Sequence, residues 1–361
     1  MNRTKTQKNP VVLIQNSFMR FLKWLIIIVV IFWIVYLLGP SPDAPVYATT
    51  MPSVPAQSGL LEAYVKNNEA QHKLKPNNEA RIVWADGSLK QKTEYSIVYL
   101  HGFSASQEEG NPIHTNIAKE FGCNIYLSRL AEHGIDTTEP MINLTAGSYW
   151  ESAKQALAIG KQLGNKIILM GTSTGGSNAL QLAATYPKDI AALVLMSPNI
   201  AINNDKAYLL NNHWGYQLAK MITGNDHITS RDDRPIFKQY WYYHYPLQGL
   251  VQLQEMLETT MTKETFEKVK QPLLMLYYYK DSVHQDSVVS VPAMLKMFDE
   301  LGTTVKMKEA MPATGDHVIG SFIKSRDLRS VQFAIENFMQ QTLQMHKVYS
   351  IVINDSIQLR H

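Results

Sequence analysis

The stretch that most limits what this chain can become is residues 166–180. A short apolar run, Ile167 to Met170, stops at Gly171. After Gly175-Gly176 the spacing turns helical through Ala179, Leu180, Leu182 and Ala183. Between the two lies Gly171-Thr172-Ser173-Thr174-Gly175, a G-x-S-x-G at a strand-to-helix junction. That context reads as a nucleophile elbow. The turn is tight enough to strain the serine backbone, and small residues two before and two after it remove the clash. The hydroxyl then stands over the first turn of a helix, whose free N–H groups favour developing negative charge. The motif alone also occurs in ordinary Gly/Ser turns, so its weight depends on companions elsewhere in the chain.

The first companion lies upstream. The strand Ser96 to Leu100 runs directly into His101-Gly102-Phe103-Ser104. Gly102 lets the backbone turn sharply, so the Phe103 N–H can point into a site beside the Thr174 N–H. Two such donors make an oxyanion hole, in which one donor is typically worth about 3 kcal/mol. Around these motifs the chain alternates strand and helix. A helix at 112–121 precedes the strand Cys123 to Leu127. An amphipathic helix at 148–163 precedes the elbow, and the buried strand Ile190 to Pro198 follows it. Apolar runs without period-2 alternation predict a mostly parallel sheet covered on both faces.

With His101 to Ser104, Arg129 to Gly134 and Gly171 to Gly176 in view, the chain resembles the α/β-hydrolase family over roughly residues 80–345. Within that family it is similar to bacterial carboxylesterases and monoacylglycerol-lipase-like members. The resemblance implies an acid just past the strand Gln271 to Tyr279. Asp281 is nearest the strand end and is preferred; Asp286 is its rival. His317 follows the last strand and a Gly-containing turn, giving the chain order Ser, Asp, His expected of this fold. His133 precedes the serine and reads as structural. His244, His284 and His346 do not occupy a loop after the last strand.

The family implies a serine hydrolase cleaving carboxylic esters, with Ser173, Asp281 and His317 as triad and the Phe103 and Thr174 N–H groups as oxyanion donors. Serine at the elbow argues against dehalogenase and epoxide-hydrolase chemistry, which use Asp there. Thioesterase, amidase, peptidase and C–C hydrolase activities stay open on the same fold, as does a non-catalytic membrane-tethered binding protein. No metal or organic cofactor is expected: no Cys/His or acidic cluster has ligand spacing, and no Lys follows the glycines to make a phosphate loop.

The remaining segments set the surroundings. The net charge of +3 comes from the N-terminus, where Arg3, Lys5, Lys8, Arg20 and Lys23 precede Trp24 without an acid; the rest carries −2. Nucleic acid is therefore not an expected partner. Phe21 to Leu38 is apolar apart from Lys23 and near the length of a bilayer span. Residues 1–20 read as a basic cytoplasmic tail, 21–39 as a single-pass anchor and 40–58, rich in proline, as an extended stalk to an extracytoplasmic domain. A signal peptide cut after Val46-Tyr47-Ala48 is the alternative, but that site lies ten residues beyond the apolar run. The lone Cys123 reads as buried and inert. The hydrolase core is expected at 59–199 and 271–346. Residues 200–270 break the strand–helix rhythm and read as a cap over the elbow. The cap carries an aromatic cluster, Tyr240 to Tyr245, that either roofs an apolar acyl pocket or forms the cap's own core. The tail at 347–361 has no counterpart in the pattern.

Overall fold

The computed structural model describes residues 10–349 and 351. In helix α1 (Pro10–Leu37) the Phe18–Leu37 stretch has a mean hydropathy of 2.4 with none of it buried. The expected basic residues Arg3, Lys5 and Lys8, and most of the C-terminal tail, lie outside the described residues. Helix α2 (Ser58–Glu69), strands β1 (Arg81–Val83) and β2 (Thr93–Leu100), helix α3 (Ile113–Glu120) and strand β3 (Asn124–Leu127) follow. Next come helix α4 (Ala146–Leu163), strand β4 (Gly164–Thr172), helix α5 (Thr174–Thr185) and strand β5 (Ile190–Met196). Helix α4 begins two residues before the expected start because Thr145 and Ser148 form a reciprocal capping box.

The segment expected as a cap holds helix α6 (Gly215–Thr223), strand β6 (His227–Thr229), helix α7 (Pro235–Tyr240), strand β7 (His244–Pro246), helix α8 (Leu247–Thr260) and helix α9 (Lys263–Lys268). Strands β6 and β7 pair only with each other. The main fold resumes with strand β8 (Leu273–Tyr277), helix α10 (Val291–Glu300), strand β9 (Lys306–Ala310) and helix α11 (Leu328–Asn337).

Seven strands form one sheet in the order β1-β3-β2-β4-β5-β8-β9, with β1 antiparallel at the edge and every other pair parallel. Parallel strands need helical crossovers, which cover both faces. The pleat accordingly sends alternate residues of each central strand into two separate cores. Val98, Leu169, Leu193 and Met275 join α4, α5 and α8 on one face. Tyr99, Met170, Val194 and Leu276 join α3 and α11 on the other. The sequence shows no alternation because both faces are apolar. The C-terminal ends of β2, β4, β5 and β8 thus converge at one edge, where loops can assemble a site.

Residues 40–56 lack regular structure, but they are not a free stalk. The Trp150 indole donates to Ala48 O at 2.8 Å, Lys154 Nζ to Thr50 O at 3.0 Å and the Tyr186 hydroxyl to Thr49 O at 2.8 Å. Tyr47 packs edge-on against Trp150 and its hydroxyl meets Thr259 Oγ1 at 2.6 Å. The strap is therefore laid along α4, α5 and α8.

Candidate active site

Ser173 sits between β4 and α5 with φ 52° and ψ −122°, a backbone state that a non-glycine residue adopts only when its surroundings enforce it. Three hydrogen bonds do so. Its N–H donates to Met196 O at the end of β5, while its carbonyl accepts from Gly176 and Asn199 N–H groups, all at 2.9 Å. Gly175 is needed for a packing reason: a Cβ there would lie 1.9 Å from Leu100 O. That contact is what brings the elbow against the end of β2. The close approach sets the Thr174 N–H, first in α5, beside the loop that carries Phe103. Among the described residues neither of these two N–H groups donates to a protein acceptor.

The histidine loop after β9 places His317 in the same cavity as Ser173. Its Nδ1 is 2.6 Å from Oδ2 of Asp286, whose side chain is fully buried. The other carboxylate oxygen of Asp286 accepts the N–H groups of Val288 (2.9 Å) and Val289 (3.0 Å). Burial alone would raise the Asp286 carboxyl, but the charge and hydrogen bond of His317 and these two N–H groups outweigh it and hold it below the usual range. Burial would likewise lower His317, yet the Asp286 carboxylate outweighs it and raises the imidazole, with Glu109 and Asp316 adding to the effect. With Nδ1–H given to Asp286, Nε2 is the nitrogen left for the cavity.

The expected acid, Asp281, is not brought to His317, and this is a correction. After β8 the chain folds back on itself, with Tyr279 bridging to Gln285. Asp281 lies on the outer bend, half exposed, where it accepts the N–H groups of Val283 and His284 and pairs with the His284 ring at 3.0 Å. The His284 N–H, its ring and the Val283 N–H hold the Asp281 carboxyl down to about 2. The fold-back returns the chain to the sheet edge at Asp286, whose N–H donates to Tyr278 O. Proximity along the sequence pointed to the wrong carboxylate because the hairpin is short and carries no glycine or proline.

A third acid of the site, Glu109, has no counterpart in the sequence reading. It belongs to a 3-10 turn (Gln107–Gly110) after the Gly102 loop, is 2% exposed and accepts the Gly102 N–H. A Cβ on Gly102 would meet both Glu109 Oε1 at 2.8 Å and Ser173 Cβ at 2.9 Å, so only glycine fits between them. Burial pushes the Glu109 carboxyl up to about 8, against the Gly102 hydrogen bond and the His317 charge that pull it down. Nothing in Gln-Glu-Glu-Gly marks this residue beforehand.

His101 and His133 are structural. His101 Nε2 accepts from Leu130 N–H, and His133 Nε2 accepts from Ser104 N–H, each at 3.0 Å. Both are fully buried, which holds them neutral.

The cavity above Ser173 measures about 580 Å³, within the range of small-molecule sites. Its apolar wall comes from Phe103 and from the cap residues Phe237, Trp241, Tyr245, Leu250 and Leu253. The aromatic cluster does not act as one unit. Trp241 and Tyr245 face the cavity, whereas Tyr242 turns away and accepts the Ile135 N–H. Tyr243 lies under the Lys238 ammonium.

A family model described as the alpha/beta hydrolase fold matches residues 95–242. No curated protein matches the sequence. Among solved structures, one from a study of LipS and LipT, two metagenome-derived lipolytic enzymes, is 16% identical with a TM-score of 0.60, covering 74% of this chain and all of that one. The monoacylglycerol lipase of Paleococcus ferrophilus is 16% identical with a TM-score of 0.51, covering 73% of this chain and 98% of its own. Est1E of Butyrivibrio proteoclasticus, solved with ferulic acid bound, is 16% identical with a TM-score of 0.50, covering 74% of this chain and 95% of its own.

Proposed function

Starting from a chain that belongs to the α/β-hydrolase family, we propose that it is a serine hydrolase of carboxylic esters. The observation that carries this reading is the 2.6 Å contact between His317 Nδ1 and a buried Asp286, with His317 and Ser173 lining one cavity. Ester hydrolysis in general is also supported by the lipase and esterase neighbours.

In this mechanism His317 Nε2 takes the proton of Ser173 Oγ as the oxygen attacks the ester carbonyl. Asp286 keeps the proton on Nδ1 and steadies the imidazolium. The Phe103 and Thr174 N–H groups hold the oxyanion. Collapse of the tetrahedral intermediate breaks the bond to the alcohol, which leaves with the proton from His317. Water, deprotonated by the same nitrogen, then attacks the acyl-enzyme, frees the carboxylic acid and returns the proton to Ser173. The apolar cap wall fits an apolar acyl group. Helix α1 is proposed to anchor the enzyme, with its N-terminus cytoplasmic and the catalytic domain on the far side of the membrane.

The test is labelling of detergent-solubilised full-length protein by a fluorophosphonate, together with hydrolysis of p-nitrophenyl esters from acetyl to palmitoyl. Labelling and turnover that both vanish in Ser173→Ala are expected, and the chain-length optimum sizes the acyl site. Labelling without ester turnover would move the reading to thioesters, amides or carbon–carbon bonds. A folded protein that neither labels nor turns over would leave a binding protein on a hydrolase fold.

A further inference from the structure

The end of α1 is built into the cap. The Trp214 indole donates to Val35 O at 2.9 Å, in the last turn of α1, and the Trp214 backbone N–H donates to Pro40 O at 2.9 Å. The neighbouring His213 Nδ1 meets Gly39 O at 2.7 Å, and its ring packs edge-on against Tyr36. These contacts fix the level of the cap relative to the apolar helix. If α1 crosses a bilayer, a side chain bonded to its last turn lies at the depth where hydrocarbon gives way to headgroups, the layer in which tryptophan is enriched.

Trp214 also starts α6. On that helix Trp214, Leu218, Met221 and Ile222 recur at helical spacing and form one apolar face. The end of the face is not packed on the domain: Met221 is 73% and Ile222 66% exposed, against a half-buried Leu218, and Tyr208 before the helix is 55% exposed. An amphipathic helix of a soluble domain buries such a face; a helix lying in a membrane interface turns it to the lipid.

We infer that the α6 face of the cap rests in the headgroup layer of the same bilayer that α1 crosses, so that the catalytic domain is held against the membrane by its cap. This rests on the reading of α1 as an anchor. The consequence for the enzyme lies in α8. That helix faces the Pro40–Pro42 segment across a small cleft through Val251 and Gln252 and lines the catalytic cavity through Leu250 and Leu253. One helix, about 10 Å across, separates the chain leaving the membrane from the space above Ser173. The geometry suits an ester that partitions into the bilayer.

The test uses the full chain reconstituted into vesicles of phosphatidylcholine and phosphatidylglycerol, with a nitrobenzoxadiazole fluorophore on single cysteines introduced as Met221→Cys, Ile222→Cys, Phe32→Cys or Val305→Cys. The native Cys123 does not compete, because it is buried and its thiol is pushed up to about 12. Phe32 reports on the anchor. Val305 precedes β9, at the opposite end of the strands from the cap. Lipids carrying a nitroxide near the headgroup are expected to quench the 221 and 222 positions, nitroxides deep in the acyl chain to quench position 32, and neither to quench 305. Quenching at 32 without quenching at 221 and 222 overturns the inference and leaves the anchor standing. No quenching at 32 removes the anchor and the inference together. A blue shift at 221 and 222 that lipid nitroxides do not quench means that protein covers the face, and also overturns it.

Discussion

The backbone N–H of Gly102 donates to the carboxyl of Glu109, a buried acid that shares one cavity with Ser173 and His317. The loop that presents the Phe103 N–H is thus held by a group that can change charge. With its carboxyl raised to about 8, Glu109 is neutral below that pH. Above that pH it becomes an anion beside the place where negative charge develops on the substrate, which opposes catalysis. Fluorophosphonate inactivation is therefore expected to fall as pH rises through about 8, and Glu109→Gln, which keeps an acceptor for Gly102, to abolish the fall. The same shift acts on stability. Between the ordinary carboxyl range and pH 8 the unfolded chain has lost a proton that the folded chain keeps, so stability drops with rising pH. Melting temperatures of Glu109→Gln and the parent should diverge from pH 5 to pH 8, in favour of the variant.

Asp286→Asn is expected to reduce kcat on a p-nitrophenyl ester by about 10⁴-fold, the loss seen when a triad acid becomes an amide and the imidazole takes the wrong tautomer. Asp281→Asn breaks only an exposed pairing with His284 that solvent screens, and should leave kcat unchanged. Equal losses in the two variants would contradict the assignment of the acid.

The acid limb of the rate profile reports His317, which must be neutral to take the serine proton. Asp286 raises its pKa, so activity should rise with pH through a midpoint above the ordinary histidine value of about 6.5. In Asp286→Asn the remaining activity should rise at lower pH, since the carboxylate that favoured the imidazolium is gone. For stability, a raised His317 contributes fully below the ordinary histidine range, and that contribution fades as pH climbs through the folded value. The depressed Asp286 contributes above the ordinary carboxyl range and is lost as pH falls.

Gly102→Ala places a methyl group between Glu109 and Ser173, at 2.8 Å and 2.9 Å from their atoms. The strain should move the oxyanion loop rather than unfold the sheet. A loss in kcat of about 10²–10³-fold, the range for one missing oxyanion donor, with little change in KM is the expected signature. A comparable rise in KM with kcat intact would mean that the loop binds substrate and does not act on the transition state.

The parts of the site that were legible in the sequence are those a tight backbone demands. Gly171 is crowded by Gly175 O, Gly175 by Leu100 O, and Gly102 by Glu109 and Ser173 Cβ, and His317 follows the last strand of an alternating fold. Asp286 was visible only as a rival, because its place depends on the fold-back bridged by Tyr279 and Gln285. A two-residue contact of that kind leaves no periodicity to read. Glu109 was invisible because burial, not spacing, gives it its properties. The fold itself followed from apolar runs. Which cap aromatics face the cavity depends on rotations along 240–245 that composition does not carry.

The strap at 47–50 has a practical consequence for where the domain can be cut. Lys154 is 1% exposed, and one of its few acceptors is Thr50 O. A version beginning at the first helix, Ser58, would strip that ammonium of an acceptor, uncover Trp150 and free the Tyr186 hydroxyl. A piece that keeps these contacts therefore starts ahead of Tyr47, and the stretch that reads as a spacer forms part of the domain's outer wall.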